Sequence, residues 1–132
     1  MMVFVDTSAW FAWFVPADPW HERVASWFAS NRQPLLTSDY CIDETLTLLV
    51  ARKRLSRALD AGKAYFHENL AQISFITEAQ VHRAWILFQQ RATAGWSFTD
   101  CTTKIVIDDL RIRTVVTLDD HLRQLGKLEI AP

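Results

Sequence analysis

Glycine is scarce in this chain, 3 residues in 132, and none belongs to a phosphate-cradling loop. There is no G-x-G-x-x-G run and no Walker motif, so a nucleotide-cofactor fold finds no support. Cysteine is nearly missing as well: Cys41 and Cys101 are the only 2. Each falls in an apolar helical pattern without the paired spacing of a zinc site, and both read as reduced core residues of a cytosolic protein. Long hydrophobic runs are absent. The longest, Ala9 to Pro16, falls far short of the roughly 18 residues a membrane span needs. Asp6 interrupts the apolar start and no basic region precedes it, so no signal peptide is expected. Neither charge is in excess, with 14 Lys+Arg against 15 Asp+Glu and a net charge of −1. That balance argues against a broad, sequence-indifferent nucleic-acid surface. It leaves room for nucleic acid if carboxylates hold cations and the basic residues lie elsewhere. Repeats, linkers and low-complexity stretches are also lacking, and the length fits one domain over residues 1–132.

What the chain does have is apolar and aromatic surface: 50% hydrophobic residues, 6 Trp and 8 Phe. A packed core is expected, and disorder is not. So many tryptophans exceed what one small core requires, which points to a face shared with another chain.

The pattern alternates strand and helix. Met2 to Val5 is a short continuous apolar run, as in a strand covered on both faces of a parallel sheet. Asp6-Thr7-Ser8 ends it and offers N-cap chemistry for a helix from near Ala9 to just before Pro16. Asp18-Pro19 introduces a helix over Trp20 to Ala29. Leu35-Leu36 is a short strand, and Thr37-Ser38-Asp39 caps a third helix reaching about Arg54. Its basic end, Arg52-Lys53-Arg54, suits the helix dipole. A fourth helix runs from Leu55 or Ser56 to about Asn69, interrupted at Gly62. Ile73 to Ile76 is a strand. Thr77 and Gln80 form a capping box for the helix Ala79 to Thr93, whose Val81, Trp85 and Phe88 face inward. Beyond Gly95 come a helix capped at Ser97 or Phe98, a strand Thr114 to Leu118, and a short helix Asp120 to Leu125 closed by Gly126. Leu128 to Ile130 adds an edge strand. Short connections between alternating strands and helices predict an α/β fold with a mostly parallel sheet of four or five strands, clad on both faces.

Four acids stand out by their settings: Asp6, Glu44, Asp100 and Asp119. Asp6 and Asp119 end apolar strands, so in parallel strands both carboxylates emerge at the carboxyl edge of the sheet. Asp100 sits in the first turn of its helix, where the dipole favours negative charge. Glu44 lies five or six residues into its helix, with a longer side chain to reach in from the side. Carboxylates gathered this closely repel one another, and a divalent cation would make the arrangement stable. Without His or Cys nearby, such ligands favour Mg²⁺ or Mn²⁺ over zinc. A divalent ion there can activate water and offset charge on phosphoryl oxygens, which is the chemistry of phosphodiester hydrolysis.

Each acid has a structural alternative. Asp6 is equally a strand-end cap, and Glu44 by its spacing is more often a solvated helix residue, with Asp43 as its rival, since adjacent helical residues point about 100° apart. Asp119 is preferred over Asp120 because it ends the strand, whereas Asp120 reads as the cap of the last helix. Thr7, Ser8 and Thr99 cap helices or position water or phosphate. Lys104, four residues after Asp100, forms an ion pair with it or meets a bound phosphate. Asp108 and Asp109 face solvent or pair with Arg111 or Arg113. His121 invites a general-base role that a metal site does not require.

Taken in order, Val5-Asp6-Thr7-Ser8, Asp43-Glu44-Thr45, Ser97-Phe98-Thr99-Asp100-Cys101 and Val116-Thr117-Leu118-Asp119-Asp120-His121 resemble the motifs of the PIN-domain ribonucleases. The resemblance is to the VapC-type toxins of bacterial and archaeal toxin–antitoxin pairs in particular, and it covers essentially the whole chain. It favours Glu44 over Asp43 and Asp119 over Asp120 as metal-binding and catalytic residues. It implies a three-layer α/β/α domain with a central five-stranded sheet, and Mg²⁺- or Mn²⁺-dependent endonuclease activity on tRNA or ribosomal RNA. It also implies a homodimer and an antitoxin whose C-terminal segment covers the active groove. The aromatic helix Ala9 to Val15 would suit subunit or antitoxin contact, and Arg52, Lys53, Arg54 and Arg57 an RNA contact. Leu122 stands where the family more usually has Phe. Two other readings remain: an inactive PIN-like module that binds RNA or protein, and a PIN-type nuclease of RNA maturation or DNA acting without an antitoxin.

Overall fold

The structure, a computed structural model, describes residues 1–125 and 128–132. Five strands, β1 (Val3–Val5), β2 (Leu35–Ser38), β3 (Gln72–Ser74), β4 (Thr114–Val116) and β5 (Glu129–Ala131), form one sheet in the order β3-β2-β1-β4-β5. Every neighbouring pair is parallel. Helices α1 (Thr7–Phe14), α2 (His21–Ser30), α3 (Asp39–Ala51), α4 (Leu55–His67), α5 (Glu78–Arg91), α6 (Phe98–Leu110) and α7 (Asp120–Arg123) connect them.

The three layers follow from the two-residue alternation of the strands. Val3 and Val5 of β1 and Val116 of β4 pack with Trp10, Ile42, Leu49 and Tyr65 from α1, α3 and α4. Phe4 and Val115, the residues between, pack on the other face with Val106, Ile107 and Leu122 from α6 and α7. With both faces covered, β1 and β4 are buried at every position, which is why β1 reads as an unbroken apolar run and β4 as a β-branched one. Among the described residues no helix is long and apolar enough to cross a membrane. Both cysteines are free and buried, and burial pushes each thiol up to about 11, so neither is poised as a nucleophile.

The aromatic surplus turns inward. Trp10 is fully buried, with Phe28 stacked at 5.6 Å and Tyr65 edge-on at 5.2 Å. Its indole N–H donates to Thr37 Oγ1, which in turn donates to the carbonyl of Val5, each at 3.0 Å. Trp13, Phe14 and Trp27 pack half-buried around this centre. Trp10 of α1 is therefore internal, while Phe11, Trp13 and Phe14 pack against it and keep part of their surface. Trp10→Phe, which removes that donor and part of the packed volume, is expected to cost about 2 kcal/mol in urea unfolding. A loss below about 0.5 kcal/mol would show that this indole does not tie α1 to the sheet.

Several boundaries and faces differ from the sequence pattern. α4 runs through Gly62 without a break; a side chain there would meet only Leu46, at 3.9 Å. α5 has the expected capping box at Thr77 and Gln80, but it turns Ala84 inward while Trp85, one residue on, is 51% exposed. Asp109 pairs with Arg83 at 2.8 Å and Asp108 with Lys104, so Arg111 and Arg113 are partners of neither. The expected closure of the last helix at Gly126 lies outside the described residues.

Candidate metal centre

Sheet register sets the site. Val5 lies opposite Val116, and the Asp6 N–H donates to the Val116 carbonyl at 3.0 Å. Asp6 and Thr117 thus leave the sheet side by side at its carboxyl edge. Asp6 occupies the N-cap position of α1, yet its side chain caps nothing. Its Oδ2 instead accepts from Thr117 Oγ1 at 2.9 Å and from Ser8 Oγ at 3.0 Å. The same two hydroxyls accept from the chain beyond β4, Thr117 Oγ1 from the Asp119 N–H at 2.9 Å and Ser8 Oγ from the Leu118 N–H at 2.8 Å. Asp6 is joined to the Asp119 backbone through the Thr117 hydroxyl and to Leu118 through that of Ser8. The role of Thr117 is invisible locally, because its partner is 111 residues away.

Asp100 enters from α6. Ser97 is the N-cap: its Oγ accepts from the Asp100 N–H at 3.0 Å, and Asp100 Oδ2 accepts from the Ser97 N–H at 2.9 Å. Asp119 caps α7, with Oδ1 accepting from the His121 N–H at 2.7 Å. Asp120, expected to be that cap, is the first helical residue and points to solvent.

His121 belongs to the cluster, contrary to the expectation that no histidine lies near. Its Nδ1 stands 3.2 Å from Asp119 Oδ1 and 3.3 Å from Asp100 Oδ2. One donor atom of each of Asp100, Asp119 and His121 falls within 4.8 Å of the others. The imidazole stacks on Trp96 at 5.9 Å, and the Arg91 guanidinium lies 5.2 Å from the centre of that indole. Gly95, with φ of +88°, leaves room for the ring edge, since a Cβ there would sit 3.4 Å from Nε2. The available signal was position: a residue two beyond a strand-end N-cap starts the next helix and is carried back over the sheet edge.

The remaining candidates divide. Glu44 is half-buried and its neighbour Asp43 exposed; Glu44 makes no side-chain hydrogen bond among the described residues. Tyr40, one turn earlier on the same side of α3, touches Phe98 at the start of α6 at 6.2 Å, so the Glu44 face borders the Asp100 end of α6. Among the described residues the buried Thr7 Oγ1 has no hydrogen-bond partner, and capping is done by neither Thr7 nor Thr99. Lys104 is paired with Asp108 one turn further along α6, away from Asp100. The basic residues Arg52, Lys53, Arg54 and Arg57 are exposed where α3 ends, about 20 Å along that helix from its start at the sheet's carboxyl edge.

The electrostatics are those of crowded carboxylates. Burial, then the charges of Asp100 and Asp119, raise the Asp6 carboxyl from its ordinary 3.8 to about 7, against the pull of the Thr117 and Ser8 hydrogen bonds. Burial and the Asp119 charge raise Asp100 as well, opposed by its bonds to Ser97 and His121. In each of Asp6, Asp100 and Asp119 one oxygen is held by protein donors. The other accepts no hydrogen bond among the described residues. Three held carboxylates, each with an oxygen to spare, fit a hard divalent cation that would relieve their repulsion.

Comparison with known proteins shows the family and the fold. A PIN-domain family model matches residues 3–128. The chain is 28% identical over 131 residues to the 23S rRNA-specific endonuclease VapC20 of Mycobacterium tuberculosis, covering 99% of each. The crystal structure of that Sarcin-Ricin loop cleaving toxin matches with a TM-score of 0.90 at 27% identity, over 98% of this chain and 99% of the other. FitAcB from Neisseria gonorrhoeae matches with a TM-score of 0.71 at 15% identity, over 99% of this chain and 97% of the other. At that identity the likeness is one of fold.

Proposed function

Because this chain belongs to the PIN-domain family, we propose that it is a divalent-metal-dependent endoribonuclease, the toxin of a toxin–antitoxin pair, and that it cuts ribosomal RNA in the cytoplasm. The observation that carries the reading is the set of three aspartates at one sheet edge, each with one oxygen held by the protein and one free. Asp6, Asp100 and Asp119, with Glu44 reaching in from α3, would hold Mg²⁺ or Mn²⁺. When bound, such an ion supplies activated water and charge neutralisation at the scissile phosphate. Ser8 and Thr117 orient the Asp6 carboxylate, the Ser97 N–H orients that of Asp100, and His121 holds Asp100 and Asp119 together through Nδ1. Asp6 must give up its proton for the ion to bind, so uptake strengthens as pH rises through about 7. An RNA hairpin with the sarcin–ricin loop sequence is the first substrate to test, since the relative similar over the full length is named for that target. An antitoxin segment lying over the acid edge and a homodimer complete the proposal.

Cleavage of that hairpin with Mn²⁺ or Mg²⁺, and none in EDTA, is the expected result. Intact RNA under every metal condition, with tRNA equally untouched, would remove the nuclease reading. His121→Phe keeps a ring against Trp96 and deletes Nδ1. It is expected to weaken Mn²⁺ binding by about 10–100-fold in calorimetric titration; an unchanged affinity would show that the imidazole does not position the acids.

A further inference from the structure

Next to Asp119 the surface opens into a cleft of about 450 Å³ lined by Trp20, Arg23, Leu118, Asp120 and Arg123. Leu118 and Asp120 flank Asp119 in the chain, so the segment that carries this acid also lines the cleft. None of its side chains serves the carboxylate network. Trp20 is 48% exposed although most aromatic surface here is internal. Its backbone N–H donates to Asp18 Oδ1 at 2.8 Å, which fixes the main chain as it turns into α2. The Arg23 guanidinium lies 5.6 Å from the Trp20 ring and covers one face of it, while Arg23 Nη2 donates to the Pro132 carbonyl at 3.0 Å. Across the cleft, Arg123 Nη2 reaches the Thr117 carbonyl at 3.4 Å, and Arg123 Nε is 4.0 Å from Asp120. The lining thus carries two guanidinium groups and one carboxylate.

An exposed indole with one face backed by an arginine suits a planar base on its open face, and two arginines suit the phosphate attached to that base. We propose that this cleft is a nucleotide subsite, in which an unpaired nucleotide flanking the scissile bond stacks on Trp20 and directs its phosphate to Arg23 and Arg123. The substrate class is thereby narrowed to RNA that offers unstacked nucleotides, such as a hairpin loop, because a base inside a duplex cannot reach the indole. This rests on the reading that the chain cuts RNA, and it adds which part of the surface chooses the site.

The test uses full-length Asp100→Asn protein without metal, so that binding is seen apart from cleavage. Indole N–H resonances are followed by nitrogen–proton NMR, with the Trp20 signal identified by its loss in Trp20→Phe. A single-stranded oligoribonucleotide is expected to move the Trp20 signal, and the same sequence in a duplex to leave it in place. Arg23→Gln with Arg123→Gln should weaken that binding about tenfold. In the active chain, Trp20→Ala should lower kcat/KM for the hairpin about tenfold, mainly through KM, with partial recovery in Trp20→Phe. If wild-type protein cuts RNA while Trp20→Ala keeps the same KM, the subsite is wrong and the nuclease reading stands. If RNA moves the Trp20 signal but no chain cuts it, the nuclease reading fails and the subsite stands. A Trp20 signal that answers an acidic peptide and not RNA would overturn the nucleotide assignment.

Discussion

Asp100→Asn protein is expected to fold normally and to lose RNA cleavage by on the order of 1,000-fold or more. The substitution is nearly isosteric, and an asparagine oxygen can still accept the Ser97 N–H that closes the capping box of α6. What goes is a full negative charge at the point where α6 meets Asp119 and His121. Circular dichroism and urea unfolding should show an intact fold, with metal-free stability equal to or above wild type because like-charge repulsion falls. Cleavage at the wild-type rate would remove Asp100 from the metal centre.

The second large effect is a dependence of metal-free stability on pH, set by Asp6. Its carboxyl sits at about 7 in the folded chain against an ordinary 3.8. A folded-state value above the unfolded one means that protonation favours folding. The contribution is fully present below about pH 3.8 and disappears as pH rises through about 7. The difference corresponds to on the order of 4 kcal/mol between the two limits. In EDTA, wild-type protein is therefore expected to weaken from pH 4.5 to pH 8. Asp6→Asn, which keeps an acceptor for Ser8 and Thr117, should lack most of that change and be the more stable protein at pH 8. Mn²⁺ added at pH 8 should restore wild type and do little for Asp6→Asn. Parallel stability profiles for the two proteins would show that Asp6 is not strained by its neighbours.

Both effects depend on distances that no local pattern contains. The strand runs, the Thr77–Gln80 capping box and the two-face burial of β1 were legible because each reports contacts within a few residues or a repeat of two; the reciprocal Ser97–Asp100 box emerged only in the structure. Motif order alone was enough for the PIN-domain resemblance, which the family match bears out. Side-chain partnership was less legible. Lys104 has acids four residues away on both sides, Asp100 and Asp108, and pairs with the second because the first turns into the sheet edge. Asp119 and Asp120 looked like ligand and cap, whereas Asp119 has one oxygen for the cap and another free. The aromatics of α1 looked exposed because the helix is apolar nearly all round; Phe28 and Tyr65, brought by α2 and α4, close over them.

By itself the amino-acid sequence determined the order of strands and helices and the acids available at strand and helix ends, since these follow from hydrogen-bonding needs and apolar periodicity along a short stretch of chain; the family came separately, from the resemblance of four motifs taken in order. Only the tertiary structure decided that Thr117 would hold Asp6 from 111 residues away, that His121 would lie between Asp100 and Asp119, and that Trp20 would remain outside the core. Parallel pairing of β1 with β4 sets those relations: register fixes which side chains leave the sheet edge at the same level, and low-dielectric burial there turns neighbouring carboxylates into a single electrostatic unit.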